Sequence, residues 1–141
     1  MTLNELYDFA EQQNIDVDWC ILKRAESLSA PLFDGSCAIA IDPTLVAGAA
    51  DEKDKLAHEI GHCMTGTFYN MYAPLDERGR CEERATRWEI KNVLPFAELI
   101  KAVRRGITSA SELADHFSVP ISLVQKAIHY YTGPCGLTLN G

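Results

Sequence analysis

The run His58-Glu59-Ile60-Gly61-His62 sets two imidazoles four residues apart, with a carboxylate next to the first. On a helix, that spacing puts both rings on one face, about one turn apart, where they can share a metal ion. Glu59 then stands where it can take a proton from a water activated by that ion. The pattern H-E-x-x-H is the signature of metal-assisted hydrolysis, most often of a peptide bond.

The chemistry requires a helix, and the flanking residues predict one. From Asp51 to Met64 the chain reads DEKDKLAHEIGHCM. Leu56, Ile60, Cys63 and Met64 fall on one apolar stripe, His58 and His62 fall opposite, and Glu59 lies at the boundary. Asp51, Glu52 and Asp54 favour the helix start through the macrodipole, and Gly66 can cap its end. Two solvent-facing histidines on an ordinary amphipathic helix are the bland alternative.

A catalytic zinc takes three protein ligands and leaves a position for water. The extended motif H-E-x-x-H-x-x-G-x-x-H is closed here, because Thr65 and Phe68 occupy its last two fixed positions. A carboxylate from a following helix is the other route. In Cys81-Glu82-Glu83-Arg84-Ala85-Thr86-Arg87-Trp88, an apolar stripe of Cys81, Ala85 and Trp88 would pack on the first helix with Glu82 beside it. Glu83, turned about 100° away, should face solvent. Spacing alone leaves Glu82 open between a ligand and a surface carboxylate.

The segments KLAHEIGH, GTFYNMYAP and E-x-R-A-x-x-W together resemble the ImmA/IrrE family of small zinc metallopeptidases. The resemblance runs from about Leu3 to Tyr131 and is strongest between Ala57 and Trp88. It implies a zincin-like domain with one Zn²⁺ per chain, held by His58, His62 and Glu82, with Glu59 as general base. It also implies a protein substrate, a helix-turn-helix repressor cut to relieve repression, and a setting in mobile genetic elements. In that family Asp or Asn often stands four residues after the glutamate ligand. Thr86 holds the place here, which removes one hydrogen bond around the ligands.

Composition fits one domain of 141 residues, with 47 % hydrophobic and 23 % charged residues. No apolar run approaches a membrane span, and the acidic amphipathic N-terminus does not read as a secretory leader. A cytoplasmic protein is expected, with its five cysteines reduced and serving as small apolar fillers. The net charge of −7 repels phosphate, so nucleic acid is not the expected partner.

The expected fold is α+β: a short antiparallel sheet and the metal helices over residues 1–94, then a helical subregion over residues 95–141. Thr2 and Glu5 form a capping box for a first helix. Ile15, Val17, Trp19 and Ile21 alternate as a strand does, and Asp34-Gly35 reads as a hairpin turn before a strand over Cys37, Ala38, Ile39, Ala40 and Ile41. In zincin-like folds an edge strand beside the cleft binds substrate by main-chain pairing, and Cys37 to Ile41 is the candidate for that edge. A purely structural core strand is the equal alternative. Between the metal helices, Tyr69 or Tyr72 could hydrogen-bond an oxyanion, although aromatics in such a loop more often pack against the core.

Residues 112–128 have helix-turn-helix spacing, with Pro120 suited to the second helix start. Only Gln125, Lys126 and His129 offer DNA contacts there, so a packing unit is expected. His116 and His129 are isolated and better read as solvated or core histidines than as ligands. Two functions compete with a peptidase: a non-catalytic antirepressor, and a DNA-binding regulator using the C-terminal helices. The intact Glu59 weighs against the first, because a structural zinc needs no base.

Overall fold

A computed structural model describes residues 1–70 and 72–139. The chain is α+β, with six helices and a three-stranded mixed sheet among the described residues. Helix α1 (Leu3–Gln12) begins at the expected capping box, with Thr2 Oγ1 accepting from Glu5 N–H, and it buries Leu6 and Ala10. Strands β1 (Ile15–Trp19), β2 (Ser27–Pro31) and β3 (Cys37–Ile41) follow.

The strand order is β1-β3-β2. β3 runs antiparallel to β2 and parallel to β1, with Ile39 opposite both Ser29 and Val17. The expected antiparallel sheet is therefore only half right. The Asp34-Gly35 turn does join an antiparallel pair, β2 and β3, with Gly35 at φ 88°. But β2 passes beyond the place β3 will take, so β3 enters the sheet between its two predecessors.

This order also corrects the edge assignment. Cys37, Ala38, Ile39, Ala40 and Ile41 form the central strand, hydrogen-bonded on both sides, and cannot accept an added strand. Its side chains alternate between buried Cys37, Ile39 and Ile41 and half-buried Ala38 and Ala40. A strand with neighbours on both sides and a helix on one face needs that pattern.

One long helix covers the buried face of the sheet, and a second long helix packs against the first. Helix α2 (Ala49–Thr65) ends at Gly66 in the left-handed conformation, as expected. Helix α3 (Leu75–Val93) packs against it, with the Ala85 backbone close against Gly61. A Cβ built on Gly61 would lie 2.6 Å from the Ala85 carbonyl oxygen, so only glycine allows this contact. Leu56 and Ile60 of the α2 stripe are fully buried, whereas Met64 is 40 % exposed. The stripe runs out at the helix end, where Met64 is only partly covered.

Cys63 is joined to Cys37 by a disulfide, which ties α2 to β3. The expectation of five reduced cysteines is corrected for this pair, and Cys20, Cys81 and Cys135 are free thiols. Helices α4 (Phe96–Arg104), α5 (Ala110–Phe117) and α6 (Ile121–Thr132) complete the chain. α5 and α6 have the helix-turn-helix form, with buried Leu113, Ala114, Val119, Val124 and Ala127. Tyr131 Oη donates to the Leu94 carbonyl at 2.8 Å, which fastens α6 to the end of α3. Among the described residues no helix is long and apolar enough to cross a membrane.

Candidate metal centre

The Gly61–Ala85 contact sets the distance between α2 and α3, and the ligand set forms across that seam. His58 and His62 project from α2 and Glu82 from α3, one turn before Ala85. One ligand atom from each lies within 4.8 Å of the others, a grouping that could hold a metal ion. His58 Nε2 is 2.6 Å from Glu82 Oε2, and His62 Nε2 is 3.2 Å from Glu82 Oε1. The two imidazoles meet edge to face, with centroids 4.9 Å apart. Two nitrogen donors and one carboxylate suit a divalent transition metal such as zinc.

The electrostatics match a site that gathers positive charge. Burial works to lower the His58 pKa, but hydrogen bonds and charge from Glu82 and Glu89 outweigh it and raise the pKa to about 10. His58 and then His62 hold the Glu82 carboxyl far below the usual carboxylate range. On the opposite ring edge, His62 Nδ1 lies 2.6 Å from the Thr67 carbonyl oxygen. That bond puts the proton on Nδ1 and leaves the Nε2 lone pair facing the cleft.

Glu59 is buried in the same cleft, and both its oxygens accept hydrogen bonds from β2. Ser27 Oγ donates to Oε2 and Ser29 Oγ to Oε1, each at 2.8 Å. The two serines share a face of β2 because residues i and i+2 do. The cleft, roughly 400 Å³, is bounded by Ser27 to Ser29 on one side and by Thr67, Phe68 and Tyr69 on the other. β2 is thus the sheet edge beside the metal group, in the place expected of β3. Asp42 N–H bonds Glu26 O and Leu32 N–H bonds Ser36 O. By ladder alternation, Ser27 and Ser29 turn their own peptide groups outward, toward the open edge.

The structure separates the two tyrosines. Tyr69 lines the cleft and donates to Glu82 Oε1 at 2.7 Å, while Tyr72 is 87 % exposed and lies outside it. The hydrogen bond to Glu82, with burial added, raises the Tyr69 pKa to about 12 and keeps the phenol a donor. Glu83 faces solvent and pairs with Arg87, as its position requires. Neither His116 nor His129 belongs to the ligand group. His116 stacks edge-on against Phe117 beside a separate cavity. Gln125, Lys126 and His129 are exposed on α6.

Ser27, Ser29, Thr67 and Glu89 were not anticipated from the sequence. Glu89 had a readable signal: it follows Glu82 by seven residues, two turns along the same helix face, inside an otherwise apolar stripe. Comparisons with family models, curated proteins and solved structures gave no match.

Proposed function

We propose that this chain is a zinc-dependent endopeptidase that cuts a helix-turn-helix repressor, in the manner of the ImmA/IrrE family and on a zincin-like fold. The observation that carries the reading is the convergence of His58, His62 and Glu82 in one cleft that also holds Glu59. A structural metal site would need no free acid beside it. When bound, the zinc supplies Lewis acidity, which makes water nucleophilic near neutral pH and polarises a carbonyl.

The side chains do the rest. Glu59 accepts the proton of the attacking water at its carboxylate and returns it to the leaving amine. Ser27 and Ser29 fix the direction of that carboxylate. Tyr69, released from Glu82, donates a hydrogen bond to the developing oxyanion. The outward peptide groups of Ser27 and Ser29 pair with an extended substrate segment, which puts the scissile bond beside Glu59. The repressor as substrate rests on the family resemblance alone. A cytoplasmic setting follows from that substrate, and there the Cys37–Cys63 bond would stand under reducing pressure.

The test is Glu59→Gln. The variant should bind one zinc per chain as the wild type does, and should fail to cut a helix-turn-helix repressor that the wild type cuts. Equal cleavage by variant and wild type rejects Glu59 as the base. Stoichiometric zinc with no cleavage by the wild type would favour the antirepressor reading.

A further inference from the structure

His58 has two ring nitrogens, and each faces a carboxylate. Nε2 points into the cleft at Glu82, and Nδ1 points away, 3.6 Å from Glu89 Oε1. Glu89 is an unusual core residue. It is 2 % exposed, and its other oxygen, Oε2, has no hydrogen-bond partner among the described residues. A buried carboxyl that is only half satisfied destabilises a fold, and an apolar side chain of similar size would serve the core better. Its polar neighbours are Asp54 and the ring of a proposed ligand, His58.

The two histidines are then supported in parallel ways. Behind His62 stands the Thr67 carbonyl, an acceptor the backbone provides. Behind His58, among the described residues, no backbone acceptor bonds Nδ1, and Glu89 occupies that place. We propose that Glu89 is the positioning residue of the metal centre: it holds the His58 proton on Nδ1 and aims Nε2 at the ion. The inference rests on the metal reading above. At 3.6 Å the His58 Nδ1–Glu89 Oε1 contact is electrostatic and longer than a hydrogen bond.

The experiment uses the full chain, stripped with EDTA, and zinc alone as the probe. Zinc affinity is read by competition with a chromophoric chelator, and ligand geometry by the visible spectrum of the Co²⁺ form. Glu89→Leu removes the acceptor and should weaken zinc binding about 10- to 100-fold and shift the Co²⁺ bands. The metal-free variant should melt no lower than wild type. Glu89→Gln keeps an acceptor oxygen and should recover affinity to within a few-fold. Should the leucine variant not fold, Glu89→Ala carries the same readouts. Leucine binding zinc as tightly as wild type would overturn the proposal, as would glutamine binding as weakly as leucine. A wild type that binds no zinc would overturn the metal reading itself, and this inference with it, a result distinct from either failure above.

Discussion

Gly61→Ala opposes two energies of known size. In an exposed helix interior this change stabilises by about 1 kcal/mol through helix propensity. Here the new methyl would stand 2.6 Å from Ala85 O, 3.1 Å from its Cα and 3.2 Å from its carbonyl carbon. All three are backbone atoms, so no rotamer change relieves them, and α2 and α3 must part by about 0.8 Å to restore ordinary contact. Overpacking of this kind costs about 1–3 kcal/mol. The net expectation is a loss of roughly 1 kcal/mol against wild type. Gly79→Ala, on α3, meets nothing within 4 Å and serves as the control, expected to gain up to about 1 kcal/mol. Urea denaturation of the EDTA-treated proteins measures both. Because the same seam spaces Glu82 from the two histidines, Gly61→Ala should also weaken zinc binding, while Gly79→Ala should not. A Gly61→Ala protein as stable as the Gly79→Ala control would refute the claim that this contact sets the helix spacing.

Other outcomes follow from the same geometry. Ser27→Ala and Ser29→Ala should each lower kcat on the order of 10-fold with KM little changed, because they misdirect Glu59 without touching substrate binding. A rise in KM alone would assign the serines to substrate. In the metal-free protein, His58 has a raised pKa, so its contribution is complete below its ordinary 6.5 and is lost as pH climbs toward 10. Glu82 has a depressed pKa, so its contribution holds above its ordinary 4.5 and is lost as pH falls. Melting temperatures in EDTA should therefore fall from pH 6.5 toward pH 10, and Glu82→Gln should flatten that slope. Zinc binding should strengthen over the same range, since a ligand imidazole must shed its proton. Cys63→Ser opens a loop with a sequence separation of 26. It should cost about 3 kcal/mol in chemical denaturation under oxidising conditions, and nothing under strong reductant.

Helices α2 and α3 were legible because their signals are local. A 3.6-residue stripe, acidic residues at the helix start, a glycine at its end and the His pair all lie within α2, and Glu82 could be placed beside the stripe of α3. Strand β2 was not legible. Ser27-Leu-Ser-Ala-Pro31 has one large apolar residue, and Leu28 faces outward, 42 % exposed. Its inward residues are the serines that hold Glu59, so the strand carries hydroxyls where an alternation rule looks for aliphatic side chains. Without an apolar alternation to mark β2, the strand after the turn reads as the edge. The parallel pairing of β1 with β3 and the Cys37–Cys63 bond join distant residues, and no local pattern encodes such partners. Tyr69 and Tyr72 are equivalent in the sequence, and only the course of the loop turns one toward Glu82.

The threading of the sheet also bears on how the chain assembles. The first strand leaves the ribosome without its partner, and the second comes to lie on the far side of a gap. Only when the third has been synthesised can the gap close, by insertion of one strand between two others. The local hairpin closes a short loop and should form early, whereas docking of the first strand must wait for longer-range closure. Until then the outer face of the hairpin and the first strand both present unpaired backbone, and that interval is when a nascent chain of this topology is most exposed to pairing with a neighbour.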